Sequence, residues 1–420
     1  MTIEKLLVRY YHDEQTIFDI GTLAIQGHRL FFEYSQEFLQ KVHWLSPFRL
    51  PPKNGLVLFE DWRFGDIWGL FDDSLPDGWG LLLMDRFFRS QNISLQDISI
   101  LDRLAYLGSN TMGALTYHPC SQISASAQKR FDLFQLSQEA QTILEGTSTE
   151  ILSDLLFLGG SPGGARPKIL VGVQEDHLIA GVDSLPPGYA HWLLKFHSHQ
   201  EEREEGIIEH CYALLANKAG LDMPATRLFF EPNQEKYFFA IQRFDRTNLD
   251  TAHNQRCHIH SFGGLIHSNH RRFECDYDTL LQVTRVLTKK QDCVEKVFRQ
   301  MIFNIVLNNR DDHVKNFAFR YDLQEWSYAP SYDLTFCYGP RGEHSMSIHG
   351  EGKTPTKDHV LRLAKKHNIP STRAKDILAE VIEASTHWKH VASDFGISQR
   401  KQTEIWQCLE GNINRVTQNR

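Results

Sequence analysis

Asp311, Asn316 and Asp333 are the side chains whose types and spacing point most directly to chemistry. The first two lie in the run N-R-D-D-H-V-K-N-F-A-F-R-Y, and the third follows L-Q-E-W in S-Y-A-P-S-Y-D-L. Four residues separate Asp311 from Asn316, the D-x-x-x-x-N spacing of loops that transfer a phosphoryl group. There a carboxylate accepts or orients the proton of an attacking hydroxyl, and an amide oxygen holds a Mg²⁺ that bridges the phosphates. Mg²⁺ is a hard cation that takes oxygen ligands and keeps water in its remaining positions. Asp312 would give the shorter spacing, so Asp311 is the expected base and Asp312 a support for the loop. FAFRY and WSYAP predict two short strands around a turn, which would return Asp333 beside Asn316 as a second metal ligand, with Tyr332 and Leu334 packing around it. Two other readings stand beside this one: a solvated loop of mixed charge, and an Asp-Asp-His site for a transition metal. The second lacks a further His/Asp cluster at ligand spacing.

Three elements must position such a loop. The run G-G-S-P-G-G-A-R-P-K (159–168) precedes the strand-like KILVGV. Its four glycines allow backbone amides to approach an anion and to take positive φ. No Gly-Lys-Ser/Thr ends it, and a strand follows where a Walker loop would have a helix; a glycine loop between strands, lying over nucleotide phosphates, is the order found in protein kinases. Lys195 in HWLLKF sits inside an apolar strand, where an ammonium is costly unless it meets an anion. Glu209 on the next helix is the expected partner, with Glu202, Glu204 and Glu205 as rivals; the alternative is a lysine that snorkels at a strand edge. YFFAIQRFDR (237–246) reads as a hinge strand whose backbone near Gln242–Phe244 would meet adenine, with Asp245 and Arg246 in structural roles. His258, His260 and His267 in HIHSFGGLIH suggest a metal, but without a second cluster packing or helix capping is the expected role.

The supporting elements follow from periodicity. KILVGV, HLIAGV, HWLLKF and YFFAIQRF predict strands. GIIEHCYALLANKAG predicts a helix with Ile208, Cys211, Tyr212 and Leu215 on one face and Gly220 at its C-terminal cap. In CVEKVFRQMIFNIVLNN, residues Val294, Val297, Phe298, Met301, Ile302, Ile305 and Val306 recur at helical spacing and predict a buried helix ending where the Asp311 loop begins. AKDILAEVIEA and QTEIWQCLEGNI predict further amphipathic helices. Residues 1 to about 120 read as short strands and turns, including LLVRYY, LVLFEDW and DSLPDGWG, with LLLMDRFF as a helix. SQISASAQKR (121–130) suits a connector.

The 420 residues exceed the roughly 250–300 that one core supports, which predicts at least two domains or lobes. A composition of 41% apolar and 23% charged residues is that of a globular chain, and a net charge of −7 argues against a general nucleic-acid coat. No window of about 18 apolar residues occurs, so no spanning helix is expected. The opening MTIEKLLVRYYHDE does not read as a secretory signal. Seven cysteines without a C-x-x-C pair predict reduced thiols and a cytoplasmic location.

GGSPGGARPK, LLKF, QRFDR, DDHVKNF and SYDL, in this order, resemble the HipA-type toxin serine/threonine kinases of bacterial toxin–antitoxin modules. LFDDSLPDGWG and YLGSNTMGAL extend the resemblance to the N-terminal third. It implies an α+β, protein-kinase-like fold with three parts: a β-rich N-terminal domain (1–125), a kinase N-lobe (126–250) and a mostly helical C-lobe (251–420). It implies an ATP site formed by Ser161, Gly163, Gly164, Ala165, Lys168, Lys195, Gln242, Phe244, His313 and Asn316. Asp311 would be catalytic, Asn316 and Asp333 would hold Mg²⁺, Glu209 would pair with Lys195, and Ser161 would be an autophosphorylation site. Gln242 stands where many relatives carry Glu. The resemblance further implies a protein substrate, commonly an aminoacyl-tRNA synthetase, and a HipB-type helix-turn-helix antitoxin through which operator DNA is bound, with no membrane role. A catalytically weak corepressor and a kinase for a small molecule or lipid are the competing functions.

Overall fold

A computed structural model of the chain describes residues 3–41, 43–120, 133–145, 155, 158–159, 163–181, 184–197, 204–231, 236–247, 255–272 and 274–418. Alternating apolar residues build the first sheet. In β1 (Lys5–Tyr11), Leu6, Val8 and Tyr10 face the core while the residues between them are partly exposed, the two-residue period of a half-buried strand. β2 (Ile17–Gln26), β3 (Arg29–Tyr34), β4 (Leu56–Leu58) and β5 (Leu115–His118) complete an antiparallel sheet in the order β4-β3-β2-β1-β5. The helix Gly78–Ser90 leaves this region with Trp79, Leu83, Met84, Phe87 and Phe88 buried.

A second antiparallel sheet holds β6 (Lys168–Gln174), β7 (His177–Ala180), β8 (Ala190–Lys195), β9 (Thr226–Glu231) and β10 (Lys236–Gln242), in the order β7-β6-β8-β10-β9. The first six residues of β6 are all buried, as expected of a central strand covered on both faces. Its register sets Lys168 directly opposite Lys195. Opposed residues share a face, so the end of this sheet presents two ammonium groups side by side. β11 (Arg246–Thr247) and β12 (Gln255–Arg256) form a small ladder after the second sheet.

The third sheet is β13 (His258–Ser261), β14 (Ala318–Tyr321) and β15 (Trp326–Tyr328). FAFRY and WSYAP thus form the two strands around a turn. The helix Gln291–Val306 buries its whole apolar stripe, and Glu205–Lys218 does the same, with Gly220 at φ +75° just past its end. Helices Ser371–Thr386 and Gln399–Thr417 pack around the first of these.

Two buried clusters hold the molecule together. One joins the first sheet to the C-terminal helices, from Leu6 to Val416. The other joins helix Gly78–Ser90 to the second sheet. The N-terminal region is therefore packed into both halves of the remaining chain. The seven cysteines are unpaired. Among the described residues, no helix is long and apolar enough to cross a membrane.

Candidate active site

Between the second and third sheets lies a cleft of about 700 Å³. Gly163, Gly164, Ala165, Lys168 and Lys195 line one wall, Gln242 and Phe244 the back, and Asp311, His313, Asn316 and Asp333 the opposite wall, with Glu209 reaching in beside Lys195. One cleft thus gathers these residues. Ser161 lies outside the described residues.

Lys195 is the electrostatic centre. Its side chain is 8% exposed and its Nζ lies 2.5 Å from Glu209 Oε1; it also bonds Asp333 Oδ1. Burial would lower the lysine pKa, but the Asp333 and Glu209 carboxylates raise it above the ordinary value, so the ammonium stays charged. Glu209 Oε2 accepts from Arg166 Nη1 at 3.0 Å, so this buried acid serves two cations. Glu204 instead bonds Ser398, and Glu205 lines the cleft. Lys168 donates to the Gly163 carbonyl. Burial, with Lys195 opposing its charge, pulls its pKa down to about 8 although Asp333 resists.

The catalytic-loop candidate is anchored from beneath. Asn309 donates to Asn304 Oδ1, Asn304 donates to the Tyr277 hydroxyl, and that hydroxyl donates to Asp312 Oδ2 at 2.6 Å. His344 Nδ1 lies 2.8 Å from the same oxygen, and the Ser345 N–H donates to Oδ1. Asp312 is thereby turned away from the cleft. This removes it from any Asp-Asp-His metal set and makes it the support of the loop. Asn316 Nδ2 donates to the Asp311 carbonyl at 2.6 Å, which turns its amide oxygen the other way.

Asp311 keeps 56% of its side chain accessible, with His313 Nε2 4.0 Å away. The surrounding protein raises its carboxyl pKa, Asp333 and Asp312 add to that, and His313 opposes it. For Asp333, desolvation would raise the pKa, but Lys195 and Lys168 hold it well below the usual carboxylate range. Its backbone sits at φ +51°, a strained conformation for a residue with a Cβ and one that recurs at functional sites.

At the back of the cleft two of the hinge N–H groups are already used. The Gln242 N–H donates to Ala225 O and the Arg243 N–H to His191 O. Among the described residues, no backbone hydrogen bond outside the strand ladders engages the Phe244 N–H or the carbonyls of Gln242, Arg243 and Phe244. Asp245 is buried between Arg243 and Arg246 and also accepts the Gly113 N–H; its role is structural, tying the hinge to the N-terminal region. The three histidines are absorbed locally. His258 bonds Leu45 O, His260 bonds Asp73 and Ser46, and His267 bonds Asp61 and accepts the Gly69 N–H at the start of a short helix.

Asp73, Asp77, Lys315 and Thr335 also line the cleft, and none is singled out by the spacing arguments. Acids crowded around Pro76 and Gly78 in D-D-S-L-P-D-G-W-G are the only signal for the first two, and nothing local says what they meet.

Asp333 and the amide oxygen of Asn316 are hard oxygen donors and fit Mg²⁺. Among the described residues no group of three or more His, Cys, Asp or Glu could hold a metal, so a cation here would complete its shell with water and phosphate oxygens.

Two family profiles match, "HipA-like C-terminal domain" over residues 160–389 and "HipA N-terminal domain" over residues 15–118. A Sinorhizobium fredii protein named "Putative kinase Y4dM" is 25% identical over 213 residues, 46% of this chain and 50% of that protein. A Haemophilus influenzae protein named "Putative kinase" is 28% identical over 186 residues, 42% of this chain and 52% of its own. The chain thus spans about half the length of these curated relatives. Among solved structures, HipA from the Shewanella oneidensis HipA, HipB and operator DNA complex superposes with a TM-score of 0.71 at 15% identity, covering 95% of this chain and 94% of that one. With profiles matching both its N-terminal region and more than half of its length, the chain belongs to the HipA family.

Proposed function

We propose that this cleft transfers the γ-phosphoryl group of ATP to a serine or threonine hydroxyl of a protein. The observation that carries the reading is Lys195, held by Glu209 and Asp333 at the mouth of a glycine loop and across from Asp311 and Asn316. A strand lysine paired with a helix glutamate is the arrangement kinases need for activity. Lys168 and Lys195 would bind phosphate oxygens, and the Phe244 N–H and hinge carbonyls would meet the base. Bound Mg²⁺ would neutralise charge on the phosphate oxygens between Asn316 and Asp333. Asp311 accepts the proton of the acceptor hydroxyl as its oxygen bonds phosphorus and the bond to the β-phosphate oxygen breaks. A carboxyl whose pKa is raised suits that task.

Ser161 is proposed as an autophosphorylation site, where a dianionic phosphate would repel nucleotide phosphates. The proposed partners are a HipB-type antitoxin, operator DNA bound through it, and a translation component such as an aminoacyl-tRNA synthetase as substrate, in the cytoplasm. The parts 1–125, 126–250 and 251–420 are proposed as a functional division into N-terminal domain, N-lobe and C-lobe.

Incubating purified protein with γ-³²P-ATP, Mg²⁺ and a lysate tests the reading. The wild type should label itself or a lysate protein on serine or threonine, and Asp311→Ala should lower transfer by about 10³-fold or more. A wild type that binds no ATP and labels nothing refutes it. A labelled metabolite without any phosphoprotein moves the acceptor from protein to small molecule.

A further inference from the structure

The segment Asp72–Trp79 reaches both walls of the cleft. On the glycine-loop side, Asp77 Oδ1 accepts the Gly164 N–H. The Trp79 N–H donates to Gly164 O at 3.1 Å and its indole to Lys168 O at 3.2 Å. Gly78 has φ +47°, and a Cβ there would stand 2.6 Å from Ala165 Cα, so the approach is closer than a larger residue permits. On the catalytic-loop side, Lys315 Nζ lies 3.3 Å from Asp72 Oδ2 and 3.9 Å from Asp77 Oδ2. Lys315 adjoins Asn316, and its carbonyl accepts the Tyr332 hydroxyl. Asp73, between these acids, is fixed to β13 through His260 and the Ser261 N–H and hydroxyl.

We propose that Asp77 is a positioning residue for phosphoryl transfer. One of its oxygens sets the height of the glycine loop above the phosphates; the other, with Asp72, aims Lys315 at the transferred group. Two oxygens of one carboxylate span the walls of the cleft, so the N-terminal region is part of the working site. This inference rests on the phosphoryl-transfer reading, with Lys315 the residue that touches substrate and Asp77 acting through it and through the loop.

Asp77→Ala, Asp77→Asn and Lys315→Met separate the two roles. Asparagine keeps an acceptor for Gly164 but loses the charge facing Lys315. In nucleotide-free protein, Asp77→Ala should speed amide hydrogen exchange over residues 163–168 about tenfold, and it should weaken MgATP binding by a similar factor. Asp77→Asn should restore protection and affinity to within about threefold, yet lower kcat about tenfold at unchanged KM. Lys315→Met should lower kcat about 100-fold, and the Asp77→Asn, Lys315→Met double variant should be no slower than Lys315→Met alone. Wild-type exchange and affinity in Asp77→Ala would overturn the loop role. Full additivity in the double variant would overturn the Lys315 role. Wild-type protein that binds no MgATP refutes the underlying reading instead, and that is measured before any variant is compared.

Discussion

Replacing Lys168 by methionine should stabilise the protein while disabling its cleft. Lys168 and Lys195 are strand partners, and two like charges opposite one another destabilise a ladder. Lys195 takes both nearby carboxylates directly. Lys168 is left with the Gly163 carbonyl, and at 4% exposure its pKa falls from 10.5 to about 8. Holding that charge at neutral pH costs on the order of 3 kcal/mol. Methionine has similar length and no charge; it removes the cost and forfeits one hydrogen bond of about 1 kcal/mol. The net gain of ~1–3 kcal/mol should raise the melting temperature of a chain of 420 residues by roughly 1–3 °C.

The pH dependence fixes the sign. Between about 8 and 10.5 the unfolded chain binds a proton that the folded chain has released at Lys168, so wild-type stability relative to the variant rises with pH across that window. Thermal melts should show Lys168→Met ahead by its full margin below pH 8 and level with wild type near pH 10.5. MgATP should raise the wild-type melting temperature and leave the variant's nearly unmoved, because ligand binding to the folded state shifts stability only where affinity persists. A variant less stable than wild type at pH 7, or a gap that does not change with pH, would refute the electrostatic account.

Other perturbations probe neighbouring parts of the site. Asp245→Asn leaves Arg243 and Arg246 buried without their carboxylate and should cost about 3–5 kcal/mol in urea unfolding. Arg243 and Arg246 depress the Asp245 carboxyl despite its burial, so the wild type's advantage should be full above the ordinary carboxylate pKa and decline as pH falls into strong acid. Glu209→Gln should lower kcat/KM for ATP about 10–100-fold in steady-state assays, since Lys195 loses the partner that fixes it. Chelating Mg²⁺ should abolish transfer. Asp333→Asn, which frees Lys195 of one carboxylate, should bind metal-free ATP more tightly than wild type in calorimetry while losing the gain that Mg²⁺ gives.

Much of this architecture is legible in the chain because its signals are local. The stripe from Val294 to Val306 needs only helical spacing to be read as buried, and it is. The strands KILVGV and HWLLKF declare themselves by composition, and the cost of burying Lys195 demands an anion nearby. That demand can be read from sequence, but its supply is harder to trace. Glu209 is one turn into the next helix and within the reach of reasoning. Asp333 reaches the same ammonium only after the third sheet folds back. The commitment of the Gln242 and Arg243 N–H groups to Ala225 and His191 depends on how neighbouring chain segments pass, which no hydrophobic pattern records.

The acids at 72, 73 and 77 mark where local reading ends, and charge accounting explains why they matter. Burial would lower the Lys315 pKa, yet Asp72, Asp73 and Asp77 raise it above the ordinary value, so carboxylates of the N-terminal region hold a cation on the candidate catalytic loop. Lys195 is likewise saturated by Glu209 and Asp333. With Lys195 and Lys315 paired to carboxylates, Lys168, held only by the Gly163 carbonyl among the described residues, is the cleft lysine with charge to offer a polyanion. On the phosphoryl-transfer reading, nucleotide affinity would then come from Lys168, from the glycine-loop amides not already given to Asp77 and from a cation that offsets Asp311 and Asp333, since an uncompensated carboxylate facing phosphate is repulsive. On the proposed reading, the pairing of Lys195 and Lys315 would make the cleft a site that metal and nucleotide enter together.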